Sequence, residues 1–392
     1  MYDFSEITDR RGSDCLKWDS RPPFGIPADD IIPLWVAEMD FKAAPFIVDA
    51  LLKRVEHGVF GYVNVPDSYY DAVIRWFGGR HGWNIRREWI MYTTGVIPAL
   101  SAVIKAFCKP SDKVILQTPV YNCFFSSIRN NGCERLDVPL LYKDRTYSFD
   151  YEGLERACAD PKARLLLLCN PHNPAGRVWS AEELCRVGEI ARRHGVVVVS
   201  DEIHCEIVMP GHRFVPFASA SAENQSNCIT LCSPSKSFNI AGLQIANIVT
   251  DNADWLRRID RAVNDNEICD VNPFGVVALQ AAYSEQGAGW LEELNSYIYS
   301  NYRLLKERIT DFPVCELEGT YLAWIDVSGI GMPSEKMEEE LLRSEKVWIN
   351  AGTMYGTEGF IRVNLACPQS VLAEGLERLS RGLASLAAAS RK

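Results

Sequence analysis

Lys236 stands in the run Ser233-Pro234-Ser235-Lys236-Ser237-Phe238-Asn239-Ile240-Ala241-Gly242, just after the β-prone stretch Ile229-Thr230-Leu231-Cys232. A lysine framed by small residues is suited to carrying a cofactor aldehyde as a Schiff base. Two segments upstream supply the other contacts that an aromatic phosphate cofactor needs. They are Asn170-Pro171-His172-Asn173-Pro174-Ala175-Gly176 and Ser200-Asp201-Glu202-Ile203-His204. Together the three point to pyridoxal 5′-phosphate, which requires a lysine for its aldehyde and an acid for its pyridine nitrogen.

Asp201 is the candidate acid. A buried carboxylate against the ring N–H keeps that nitrogen protonated; the plainer reading is a strand-end aspartate capping a loop. Asn173 is placed to donate its amide to the ring 3-oxygen, or it belongs to an ordinary Asn-Pro turn. Thr94-Gly95-Val96 opens a helix expected over 97–107, and helix-start N–H groups suit a phosphate dianion. Ser233 and Ser235 are positioned to add hydroxyls. Tyr121 either stacks on the cofactor ring or is half-buried packing. Arg362 lies in the apolar strand Phe360-Ile361-Arg362-Val363-Asn364-Leu365, where a charge requires a partner. That partner is a substrate carboxylate held by two hydrogen bonds, or an internal acid. A metal centre is not expected, because His172 and His204 show no ligand spacing.

These residues need a frame. Short apolar runs read as strands over 113–117, 164–169, 196–200, 228–233 and 244–250. Helical periodicity covers 67–81, stopped by Gly82, and 181–194, stopped by Gly195. Alternation of this kind predicts an α/β fold with a mostly parallel sheet covered by helices on both faces. A long helix over 290–312 leads to a smaller C-terminal α+β lobe. That lobe has strands over 321–327 and 360–365, a helix over 335–345 and a final helix from Ser370. The expected division is an N-terminal arm over 1–48 that also forms part of the small domain, a large cofactor-binding domain over 49–288 and a small C-terminal domain over 289–392. Lys236, Asp201 and Asn173 all follow predicted strands, where open parallel sheets bind ligands.

The 392 residues are ample for a large core. A net charge of −10 with no basic stretch argues against nucleic acid as a partner. The apolar runs are too short to span a bilayer, and no signal peptide is evident at the N-terminus. The thirteen cysteines are odd in number and contain no Cys-x-x-Cys pair. Reduced thiols in a cytoplasmic protein are therefore expected.

The set Tyr121, Asn173, Asp201, Lys236 and Arg362, in this order, resembles the class I/II aminotransferase superfamily of fold-type-I pyridoxal phosphate enzymes. Finer features narrow the likeness. Trp35-Val36-Ala37-Glu38-Met39-Asp40-Phe41, Asp201-Glu202-Ile203-His204 and the lysine run through Gln244 resemble the MalY/PatB branch, as does Arg362-Val363-Asn364-Leu365-Ala366-Cys367-Pro368. That branch comprises cystathionine β-lyases and related C–S lyases. Many aminotransferases carry arginine eight residues after the lysine and tyrosine three after the aspartate. Here those positions are Gln244 and His204, which matches the lyase branch.

The resemblance implies a transferase-like fold with a seven-stranded sheet. It implies a cofactor set of Lys236, Asp201, Asn173, His204, Tyr121, Gly95, Val96, Ser233 and Ser235, with Tyr62 reaching the phosphate from the neighbouring subunit of a homodimer. Arg362, Trp35 and Asn173 would bind the amino-acid substrate, and Lys236, Asp201 and Tyr121 would act in catalysis. The expected reaction is β-elimination from cystathionine or related cysteine S-conjugates, giving thiol, pyruvate and ammonia. An aminotransferase uses the same residues and is the alternative. A regulatory or binding protein on this scaffold is the further alternative.

Overall fold

The computed structural model describes residues 2–265 and 271–390. A seven-stranded sheet forms its centre. The strands are β1 (Ile90–Thr93), β2 (Lys113–Leu116), β3 (Glu134–Asp137), β4 (Ala163–Cys169), β5 (Val197–Asp201), β6 (Cys228–Cys232) and β7 (Ala246–Val249). Their spatial order is β1-β7-β6-β5-β4-β2-β3. All pairings are parallel except those of β7, which runs antiparallel to both β1 and β6. β4 to β7 are buried almost throughout, as sheets covered on both faces require.

Strand β7 is shorter than the apolar run over 244–250. Gln244 adopts a left-handed conformation at φ 52°, which ends the turn Ala241–Leu243 before the strand begins. β7 returns beside β6 because the connection over 233–245 is taken up by the lysine loop and the turn Ala241–Leu243, with no crossover helix to carry the chain back for a parallel pairing. The C-terminal sheet has the order β8-β10-β9, with β8 (Leu322–Asp326), β9 (Asn350–Ala351) and β10 (Phe360–Asn364) all antiparallel. The N-terminal segment joins this lobe, since Ile32–Pro33 pairs in parallel with Val347–Trp348.

The long helix runs over Glu285–Arg308, earlier at both ends than the apolar pattern over 290–312. Its start is set by Ser284, whose side chain accepts from the Gly287 N–H at 3.2 Å. Gly287 is also required sterically, because a Cβ there would lie 1.8 Å from the Ala282 carbonyl oxygen. Both expected domain boundaries fall inside helices, Pro45–Glu56 and Glu285–Arg308. Trp290 on the long helix stacks on Phe238 of the lysine loop, with centroids 5.5 Å apart. No described helix is long and apolar enough to cross a membrane.

Candidate active site

The carboxyl ends of β1, β4, β5 and β6 open onto one cavity of about 210 Å³. Gly95 and Val96 after β1, Asn173 after β4, Asp201 and His204 at β5, and Ser235 and Lys236 after β6 line it together with Tyr121. This is the strand-end crevice where α/β sheets bind ligands. Of the residues singled out in the sequence for the cofactor itself, it collects all but two.

At its floor, Asp201 is buried and accepts one hydrogen bond, from the Ile203 N–H at 3.1 Å. Burial pushes its carboxyl up to about 7, against the lowering effects of that N–H and of Lys236. Among the described residues no salt bridge satisfies it. His204 is likewise buried, and its Nδ1 has no partner. Burial, then the charges of Lys236 and Arg362, hold its imidazole down at about 3, so it stays neutral. It meets Tyr321 edge-on, with centroids 5.7 Å apart.

The roof is the segment over 35–41, and it offers main-chain carbonyls. Lys236 Nζ donates to the Ala37 carbonyl at 2.6 Å, and Tyr321 Oη donates to the same oxygen at 3.1 Å. Asn239 fixes the segment: its amide donates to the Met39 and Phe41 carbonyls at 3.0 and 2.8 Å, and its oxygen accepts from the Met39 N–H at 3.1 Å. Asn364 donates to the Val36 and Glu38 carbonyls. Burial and the nearby Arg362 charge lower the Lys236 pKa, against the opposing charges of Glu38 and Asp201.

Arg362 on β10 is only 3% exposed. Its Nη2 donates to the Trp35 carbonyl at 2.7 Å and its Nη1 to Asn173 Oδ1 at 3.3 Å. Its Nε is buried and unpaired, and its Cζ lies 4.8 Å from the Tyr355 ring centroid. Among the described residues no carboxylate forms a salt bridge with it. The internal-acid reading of Arg362 therefore finds no support in the geometry.

Three expected contacts are placed elsewhere. Ser233 turns its hydroxyl away from the cavity, donating to the Ile245 carbonyl at 2.5 Å and accepting from the Ser235 N–H at 3.0 Å. It braces the lysine loop from behind. The Trp35 ring stacks on Trp348 at 4.2 Å, so Trp35 serves the site through its carbonyl. Tyr62 is 92% exposed and lies outside the cavity of a single chain. Sequence reasoning missed Asn239, Asn364 and the carbonyls they orient. The left-handed conformation of Asn239, at φ 56°, carries no signature in the sequence beyond residue type.

The residues present fit pyridoxal phosphate. The cavity offers a lysine amine, a buried acid lacking a charged partner and an unpaired imidazole nitrogen. It also offers the start of helix Val96–Phe107, where no side chain caps the free N–H groups and no acid occupies the first turn.

Comparison with known proteins agrees. The family model described as aminotransferase class I and II matches residues 29–379. Cystathionine beta-lyase PatB of Bacillus subtilis (strain 168) is 40% identical over 387 residues, covering 97% of this chain and 99% of that protein. A pyridoxal-phosphate-bound protein of Clostridium difficile 630, provisionally assigned as an aminotransferase, has a TM-score of 0.94 at 40% identity, covering 98% of this chain and 100% of its own. The pyridoxal-phosphate-bound C–S lyase of Staphylococcus hominis has a TM-score of 0.90 at 32% identity, covering 98% of each chain.

Proposed function

This chain belongs to the aminotransferase class I and II family, and from that membership we propose a pyridoxal-phosphate-dependent C–S lyase. It cleaves cystathionine or a related cysteine S-conjugate to a thiol, pyruvate and ammonia. The cavity holding Lys236 and Asp201, with the carboxylate-free guanidinium of Arg362 beside it, supports the cofactor and an amino-acid substrate; the observation that carries the lyase direction is the 40% identity to cystathionine beta-lyase PatB over nearly the whole chain. The names of the relatives in Bacillus subtilis and Staphylococcus hominis support the lyase direction.

When bound, the cofactor supplies an electrophilic carbon for the substrate amine and an electron-accepting ring. The protein's own residues do the rest. Lys236 would carry the cofactor at rest and, when free, would take the α-hydrogen to Nζ; its lowered pKa favours the neutral amine this needs. Asp201 would pair with the ring nitrogen and keep its proton in place. Arg362 and Asn173 would orient the α-carboxylate, and Tyr121 would lie against the ring. The helix start at Val96 and the Ser235 hydroxyl would hold the phosphate. Electrons released at the α-carbon expel the thiolate from the β-carbon, and the three-carbon product takes up water to give pyruvate and ammonia.

In this reading the enzyme is a cytoplasmic homodimer with shared active sites. The exposed apolar side chains Leu52, Val55, Val59, Phe60 and Tyr62 form the dimer face, and Tyr62 reaches the partner's phosphate. The division at 48/49 and 288/289 into arm, large domain and small domain belongs to the same reading.

The test is purified protein with L-cystathionine and no added keto acid, following pyruvate and free thiol together. Equal release of both, lost in Lys236→Ala, is the expected result. A keto acid formed only when an acceptor is supplied would make the protein an aminotransferase, the name given to its relative in Clostridium difficile.

A further inference from the structure

Two donors meet on one main-chain oxygen. Lys236 Nζ lies 2.6 Å and Tyr321 Oη 3.1 Å from the carbonyl oxygen of Ala37. A carbonyl carries two lone pairs, so both bonds stand at once. Against a carbonyl the phenol can only donate. Burial pushes the Tyr321 hydroxyl well above its ordinary range, so it keeps its proton.

Tyr321 is held rigidly for this contact. It has no exposed surface, and its own carbonyl accepts from the Leu365 N–H at 2.8 Å. Its ring meets His204 edge-on. Directly before it, Thr320 has a left-handed backbone at φ 68°, which a β-branched residue rarely adopts. The Thr320 N–H donates to the Ile207 carbonyl at 2.8 Å, and its hydroxyl accepts from the Leu322 N–H at 3.1 Å. Strain of this kind persists only where the surroundings fix it. Here it sets the direction in which Tyr321 leaves the start of β8.

We propose that Tyr321 is a positioning residue for the reaction: by sharing the Ala37 oxygen with Lys236, it fixes where the free amine rests and keeps that oxygen from holding the lysine as an ammonium ion. A carbonyl bonds a charged ammonium more strongly than a neutral amine. A second donor draws on the same electron density and turns the positive end of its O–H dipole towards the ammonium. Both effects favour the neutral amine, the form able to take a proton at Nζ. The charged and titratable groups facing Lys236 are Arg362 on β10, Asp201 and His204 at the end of β5, Glu38 on the roof and Cys123 on the helix Asn122–Asn130. Desolvation and Arg362 lower the lysine pKa, against Glu38, Asp201 and Cys123. Tyr321 adds to the lowering side. Its use in catalysis rests on the lyase reading above, whereas its effect on the lysine does not.

The experiment is carbamylation of the cofactor-free full chain by cyanate, followed at Lys236 by peptide mass spectrometry as a function of pH. Lys236 is partly exposed, and cyanate attacks only the neutral amine, so the rate reports its titration. Tyr321→Phe keeps the ring and removes the donor. It should raise the Lys236 pKa by roughly half to one unit, the size of one hydrogen bond. A 3-fluorotyrosine at position 321 keeps the contact and donates more strongly, so it should move the pKa the opposite way. An unchanged pKa in the phenylalanine variant, or shifts of the same sign in both proteins, overturns the proposal. If the phenylalanine variant does not fold, the fluorotyrosine protein decides alone, and a pKa that is not lowered there overturns it. With cofactor and substrate present, the acid limb of the kcat profile of Tyr321→Phe should rise in step with the labelling pKa. A loss of kcat at every pH with the limb in place would make the role merely structural and overturn it. The labelling needs no substrate, so its outcome is independent of whether the protein is a lyase.

Discussion

Arg362 and Asn173 meet at 3.3 Å between Nη1 and Oδ1, one from the antiparallel C-terminal sheet and the other from the loop after β4. The contact joins the two sheets beside Lys236. It gives a buried cation a neutral oxygen instead of an acid. An arriving carboxylate can therefore take up the guanidinium without first displacing an ion pair.

Arg362→Lys should raise KM for L-cystathionine roughly 10–100-fold with a smaller change in kcat. One charge-assisted hydrogen bond is worth about 1.5–3 kcal/mol, and a point ammonium cannot replace a planar fork. Steady-state kinetics checks this. An unchanged KM would remove Arg362 from substrate binding.

Substitution at Asn239 should separate backbone strain from lost hydrogen bonds. Asn239→Gly keeps the left-handed backbone but loses three bonds to the segment over 35–41, whereas Asn239→Ala loses the bonds and adds strain. Each change should cost about 1–3 kcal/mol from unsatisfied groups, with alanine worse by about another 1 kcal/mol. Denaturant midpoints of the two variants measure the difference, and equal values would contradict it.

Acid should expose His172. Burial holds its imidazole down at about 3, while an unfolded histidine takes a proton near 6.5. Between these values the unfolded state binds more protons, so stability is full at neutral pH and falls as pH falls. His172→Phe keeps the edge contact with Trp179 and removes this titration. Relative to wild type it should gain up to about 1–2 kcal/mol between roughly pH 7 and pH 5. Chemical unfolding at both values would measure that gain.

Tyr62→Ala should weaken cofactor retention while leaving each chain folded. The side chain is almost fully exposed and packs on nothing that a single chain depends on. Cofactor titration alongside sedimentation provides the check. Unchanged affinity in a stable dimer would remove Tyr62 from the partner's site.

The sequence was most legible where chemistry coincides with period. β4, β5 and β6 are continuous apolar runs, so the loops after them, with Asn173, Asp201 and Lys236, were placed correctly. Helix Asp67–His81 ends at Gly82 as its pattern implied. The antiparallel direction of β7 was not legible, because a fully buried strand has the same composition in either direction. The role of Ser233 was misplaced because its hydroxyl is claimed by a carbonyl twelve residues away, a pairing visible only in three dimensions. The roof was recognised as a motif, yet its working atoms are main-chain oxygens, on which residue identity is silent.

That last feature has a practical side. Lys236 and Tyr321 are anchored to the carbonyl of Ala37 and Arg362 to that of Trp35; Asn350 also donates to the Trp35 carbonyl, and Asn364 donates to the Val36 and Glu38 carbonyls on either side of Ala37. Side chains at 35–38 can be exchanged while the anchoring oxygens stay in place. Libraries built at these positions could retune which thiol the enzyme releases without dismantling the machinery that releases it.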